Sequence, residues 1–180
     1  MNQMEQRKMK NNVVLIGMPA CGKSTIGVVL AKIMGKDFVD TDITIQHVEG
    51  RPLQQIIDEN GNEYFKKVEE EILAGFSEEN CIVATGGSAA YYDRAMEHLK
   101  ENGVVVYLKV SLEGIESRLH NLSTRGVTLK PGQTIADLYE ERIPYYEKHS
   151  DICIEAENMD IWETAEFIMN QLRCLQSENL

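Results

Sequence analysis

Asn12-Val13-Val14-Leu15-Ile16-Gly17-Met18-Pro19-Ala20-Cys21-Gly22-Lys23-Ser24 decides the fold of this 180-residue chain. Its first five residues form an apolar, β-branched run suited to a buried parallel strand. The next eight read G-x-x-x-x-G-K-S, the phosphate-binding loop pattern. Ser24 to Met34 has helical composition and stops at Gly35. Strand, glycine loop and helix are the context this pattern needs to work. The glycines let backbone N–H groups turn inward around phosphate oxygens, and the helix N-terminus adds partial positive charge. Gly17, Pro19, Ala20, Cys21, Gly22, Lys23, Ser24 and Thr25 are therefore the candidate nucleotide contacts. Lys23 is expected to reach the β- and γ-phosphates of ATP, and the Ser24 hydroxyl to ligate Mg²⁺.

Composition narrows the partners. The chain is 43% hydrophobic and 26% charged, as in a globular protein, and one domain spanning 1–180 is expected. Its formal net charge of −11 argues against nucleic acid and membrane surfaces as partners. An anionic small-molecule substrate must then be met by a local cluster of positive groups. Residues 1–10 are polar and lack the apolar core of a signal peptide, so a solvated tail is expected there. Cys21, Cys81, Cys153 and Cys174 show no metal-ligand or disulfide spacing and fit a reducing, cytoplasmic setting. His47, His98, His120 and His149 are isolated and suit surface or capping roles.

Apolar strands alternate with helices along the rest of the chain. Strands are expected at 37–40, 81–84, 104–108 and 152–154. Helices are expected at 52–60 and 62–76, broken at Gly61, and at 91–102, 112–122, 134–146 and 161–175, the last packing Trp162 into the core. This order predicts an α/β fold of three layers, α/β/α, around a five-stranded parallel sheet, with ligands beyond the carboxyl ends of the strands. Asp40-Thr41-Asp42 follows the second strand, and Gly86-Gly87-Ser88 the third. One acidic residue there can support Mg²⁺ and another can orient an attacking hydroxyl. Helix N-capping by Asp40 and Asp42 is the competing reading. The Gly-Gly turn lets an acceptor approach the backbone.

These residues together resemble the shikimate kinase family. The pieces that match are Gly17 to Gly27, Asp40-Thr41-Asp42, Gly61-Asn62-Glu63-Tyr64-Phe65-Lys66-Lys67-Val68-Glu69, Ala84-Thr85-Gly86-Gly87 and Glu141-Arg142-Ile143-Pro144-Tyr145-Tyr146. The resemblance implies a P-loop kinase fold with a lid at about 121–133. It also implies a cytoplasmic, monomeric enzyme that moves the γ-phosphate of ATP to the 3-hydroxyl of shikimate. It implies that Asp42 binds the acceptor hydroxyls, that Asp40 supports the metal, and that Gly86 and Gly87 line the acceptor pocket. Arg142 is then the carboxylate-binding group, Arg118 lies against adenine, and Arg125 is the lid arginine.

Three positions depart from the family pattern. Lys66 stands for an arginine, Ser88 for a third glycine, and Gly126 for a proline. Lysine is a point charge where arginine grips a carboxylate with two bonds. Two alternatives thus stay open: a kinase of another small hydroxy acid or polyol, and a nucleotide-binding module without turnover. Glu69-Glu70-Glu71 reads as a solvated helix face, with Glu69 orienting Lys66 as the alternative. Tyr91-Tyr92 and Tyr145-Tyr146 read as packing residues. Cys21, at a helix N-terminus beside Lys23, is the thiol expected to react.

Overall fold

The computed structural model describes residues 10–120, 129–130 and 132–178; the side chains of 120, 176 and 178 fall outside that description. Residues 121–128, which include Arg125 and Gly126, and Pro131 lie outside the described residues, as does the tail through residue 9. The lid expectation therefore meets structure only at Leu129, Lys130, Gly132 and Gln133.

Five parallel strands make one sheet: β1 (Asn12–Ile16), β2 (Asp37–Asp40), β3 (Cys81–Ala84), β4 (Gly103–Lys109) and β5 (Ile152–Glu155), in the order β2-β3-β1-β4-β5. β1 pairs with β3 on one side and β4 on the other, so Val14 lies between Val83 and Val105. Every residue of β1 and β3 is buried, which requires helices over both faces. The helices are α1 (Lys23–Met34), α2 (Thr41–Glu49), α3 (Leu53–Ala74), α4 (Asp93–Asn102), α5 (Leu112–His120), α6 (Ile135–His149) and α7 (Ile161–Glu178). α1 packs on α7, α3 on α4, and α5 on α6. The chain leaves β1 toward β2 at one edge and later crosses to β4 on the far side. The first strand thus ends at the point where connections diverge, the usual place for a ligand in such sheets.

Apolar packing falls into two clusters. The large one surrounds the sheet and includes Leu15, Ile16, Met96, Tyr107 and Tyr146. A small one, Ile45, Ile56, Phe65 and Val68, joins α2 to α3. Gly61 breaks α3 with φ 82° and ψ 168°, which bends the chain where the expected helix break falls.

Several expectations need correction. The segment after β2 is helical from Thr41 with Asp40 as its cap, as the capping reading implied, although no helix span was expected over 41–49. Residues 89–91 form a short 3₁₀ turn, so the fourth helix starts at Asp93 instead of Tyr91. α7 buries Ala165, Ile168 and Leu172 but leaves Trp162 53% exposed. His149 is buried at the end of α6, with Nε2 3.0 Å from Asp93 Oδ1.

Candidate active site

The loop between β1 and α1 has the backbone that phosphate binding requires. Gly17 has φ 143°, Ala20 φ 63° and Gly22 φ 103°. At Gly17 a Cβ would also come 2.7 Å from the Leu108 carbonyl oxygen. Three residues on the left-handed side of φ within six positions curl the chain into a cup. Lys23 is 8% exposed, and its ammonium donates to the Gly17 and Met18 carbonyls at 2.8 and 2.9 Å. Arg118 on α5 reaches the outside of the cup and donates to the Ala20 and Cys21 carbonyls at 3.4 and 3.3 Å. Thr25 follows Ser24 at the exposed start of α1. The Cys21 side chain is 1% exposed, whereas Cys153 and Cys174 are exposed. The expected reactive thiol is thus shielded in the folded chain, because its Sγ packs inside the loop next to the Lys23 ammonium.

Asp40 caps α2 and also contacts Ser24. Its Oδ1 accepts from the Asp42 N–H at 3.0 Å and caps α2, while its Oδ2 accepts from the Ser24 hydroxyl at 2.7 Å. A hydroxyl and a carboxylate joined in this way are hard oxygen donors suited to Mg²⁺. Among the described residues no three His, Cys, Asp or Glu gather as a metal cluster. A cation at Ser24 and Asp40 would therefore draw its remaining ligands from phosphate and water, the habit of Mg²⁺.

Asp42 lies one step further along the carboxyl ends of the strands. Burial foremost, then the nearby Asp40 charge, pushes its carboxyl up to about 6, against the opposing pull of Lys23. Gly86 sits between Asp42 and Glu69. A Cβ on Gly86 would lie 3.0 Å from Asp42 Oδ1 and run into Glu69 Oε1. The Gly86 N–H donates to the Thr41 hydroxyl at 3.3 Å. A Cβ on Gly87 would lie 2.7 Å from Arg142 Nη1 and 3.0 Å from Pro19 Cδ. Glycine is needed at both positions because side chains from three other elements close on this backbone.

Beyond Gly87 a pocket of about 230 Å³ opens, lined by Phe65, Lys66, Ser88, Tyr91 and Arg142, with Leu129 and Lys130 at its rim. Arg142, on α6, is 4% exposed. Its guanidinium carbon lies 5.4 Å from the centre of the Tyr91 ring, and its Nε is 3.3 Å from the Tyr91 hydroxyl. Among the described residues no carboxylate lies within ion-pair distance of it. Tyr146 underpins this wall by stacking on Tyr107 at 5.1 Å and donating to the Gly87 carbonyl at 2.7 Å. Lys66 lines the pocket, but its ammonium pairs with Glu63 at 2.7 Å.

Glu69 is neither solvated nor bound to Lys66. It is fully buried, and its Oε2 accepts from the Ser88 hydroxyl at 2.6 Å and the Tyr92 hydroxyl at 2.8 Å. Desolvation raises its carboxyl above the ordinary range, although the two hydroxyls and Arg142 oppose the shift. Of the Glu69–Glu71 run only Glu71 is fully exposed. Sequence reasoning thus missed Tyr91 and Tyr92 as parts of the site, and its alternative for Glu69, orienting Lys66, named the wrong partner. The signal for Glu69 was its spacing: it falls four residues from both Phe65 and Leu73, on the buried stripe of α3.

The chain is similar to proteins of known family. The family model described as shikimate kinase matches residues 19–173. A shikimate kinase of Clostridium botulinum is 40% identical over 148 residues, which is 79% of this chain and 86% of that protein. One of Thermodesulfovibrio yellowstonii is 34% identical over 92% of this chain and 97% of its own length. Among solved structures, shikimate kinase from Acinetobacter baumannii in complex with shikimate superposes with a TM-score of 0.84. It is 28% identical, covering 93% of this chain and 95% of that one.

Proposed function

We propose, because the chain belongs to the shikimate kinase family, that its cleft transfers the γ-phosphoryl group of ATP to the 3-hydroxyl of shikimate. Shikimate carries a carboxylate and several hydroxyls, and the site offers Arg142 for the carboxylate and Asp42 for an attacking hydroxyl. The observation that carries the assignment is Arg142, a buried guanidinium facing a pocket with no carboxylate within ion-pair distance among the described residues. A desolvated cation of this kind is costly unless a ligand anion completes it. The shikimate carboxylate is that anion, and Lys66 adds a second positive charge at the same wall.

The remaining roles rest on the resemblance, supported by the geometry of the described residues. The loop from Gly17 to Thr25 wraps the phosphates, and Lys23 moves from carbonyl partners to phosphate oxygens. Lys23 and Arg125 offset charge on the transferring group, with Arg125 acting from the lid. Arg118, held against the loop, meets the adenine end of the nucleotide. Ser24 and Asp40 hold Mg²⁺, which when bound neutralises phosphate charge. Asp42 orients the attacking hydroxyl and accepts its proton, a task suited to a carboxyl titrating near 6. Gly86, Gly87 and Ser88 form the floor on which the acceptor ring rests. The enzyme acts as a cytoplasmic monomer on free small molecules, and its charge of −11 gives nucleic acid and anionic membranes no attraction. No described helix is long and apolar enough to cross a membrane.

The test is ADP release from MgATP across a panel of hydroxy acids and polyols. Shikimate is expected to give the highest kcat/KM of the panel. A different acceptor that exceeds it by about tenfold or more would overturn the assignment.

A further inference from the structure

Of the two departures that the resemblance brings out at 66 and 88, Ser88 bonds the buried Glu69 carboxylate and Lys66 does not. Residue 66 is lysine where the pattern has arginine, and residue 88 is serine where it has glycine. Lys66 and Glu69 are three residues apart on α3 and so share a face. Yet Lys66 turns the other way, toward Glu63, and is 47% exposed. Glu69 takes its hydrogen bonds from Ser88 and Tyr92 instead, both on its Oε2. Its Oε1 is buried without a hydrogen-bond partner among the described residues and abuts Gly86.

We propose that Ser88 is a positioning residue that holds Glu69 in place of the side chain at 66, and so fixes Gly86 against Asp42. The hydroxyl gained at 88 compensates for the fork lost at 66. A buried carboxylate needs its hydrogen bonds to stay in one orientation. If the Ser88 bond is removed, Glu69 can rotate about the remaining Tyr92 contact. Gly86, packed between Glu69 and Asp42, then shifts, and the acceptor hydroxyl loses its alignment. Lys66, released from holding Glu69, meets the acceptor as a single loose charge. Acceptor selectivity is therefore set by the pair 66 and 88 together. This rests on the reading of the pocket as the acceptor site.

The experiment is a double-mutant cycle with Ser88→Gly, Lys66→Arg and both, plus Ser88→Ala. Acceptor KM, ATP KM and kcat are measured, with urea unfolding of the ligand-free proteins. Ser88→Ala is expected to raise acceptor KM by about tenfold with far less change in ATP KM, the size of one lost charge-assisted hydrogen bond. Lys66→Arg should lower acceptor KM by about tenfold in the Ser88→Gly background and by less in the wild type, since an arginine at 66 can donate to Glu69. Effects that multiply independently overturn the proposal. So does a Ser88→Ala protein that is less stable but unchanged in acceptor KM, because that is a structural role alone. If neither Ser88 variant folds, Tyr92→Phe removes the other donor and must raise acceptor KM; an unchanged value overturns the proposal. A wild type inert toward shikimate refutes the function reading instead. Coupling between 66 and 88 is still expected in ligand-free unfolding, and additivity there counts against Ser88.

Discussion

Replacing Arg142 by methionine separates what the guanidinium does for the fold from what it does for the acceptor. The side chain is 4% exposed, it bonds the neutral Tyr91 hydroxyl and lies over that ring, and its charge reaches the buried Glu69 carboxyl without an ion pair. Burying a charge costs several kcal/mol, so an apolar side chain of similar length should leave stability unchanged or raise it by about 1–4 kcal/mol. Binding should respond in the opposite sense. Removing one partner of a desolvated charge pair costs about 2–5 kcal/mol. That corresponds to a rise in acceptor KM of about 30-fold to a few thousandfold. ATP KM should change little, because Arg142 is held by Tyr91 on the acceptor side and makes no hydrogen bond to the phosphate loop among the described residues. Steady-state ADP release with shikimate varied, together with urea unfolding monitored by the tyrosines, gives both numbers. A folded Arg142→Met protein whose acceptor KM stays within about threefold of wild type would refute the argument. So would a loss of more than about 2 kcal/mol in stability, because the guanidinium would then be a strut of the fold.

Lys23→Met should fold normally and lose a factor of at least about 10² in kcat, read in the same assay. Asp42→Asn should depress kcat more than ATP affinity and remove an acid limb near pH 6 from the kcat/KM profile. The sign for stability is opposite to that of an ordinary salt-bridged aspartate. Its folded value of about 6 lies above the ordinary 3.8, so the folded state binds more protons in that window. Its contribution to stability therefore falls as pH rises from about 4 to 6. Asp42→Asn should flatten that part of a urea-midpoint profile. Limited alkylation followed by mass mapping should label Cys153 and Cys174 before Cys21, since Cys21 is 1% exposed.

The nucleotide half of the site was legible because its chemistry is local. Backbone curvature, lysine and hydroxyl all lie within Gly17–Ser24, and the flanking strand and helix run almost where their composition puts them. The acceptor half is assembled from α2, α3, the turn after β3 and α6, and there single letters misled. Asp40 read as either a metal support or a cap; its Oδ1 caps α2, and its Oδ2 is taken by the Ser24 hydroxyl. Glu69 looked like one of three equivalent acids, although helical phase separates it from Glu71. Cys21 advertised reactivity through its neighbours, but exposure depends on how the loop closes over it. The resemblance supplied Arg142, whose burial without a carboxylate no local pattern could reveal.

The split in apolar packing has a consequence for how this protein opens. α2 and the first half of α3 are held by the four-residue cluster of Ile45, Ile56, Phe65 and Val68 and by the turn at Gly61, apart from the sheet's own core. A unit with so small a core can melt before the rest. Its amides should exchange with solvent through openings that cost less than global unfolding, while those of β1 and β3 wait for the whole chain. Substitutions in that unit can therefore accumulate with little effect on the nucleotide cup. A lineage could retune which alcohol is phosphorylated while the machinery that handles ATP stays intact.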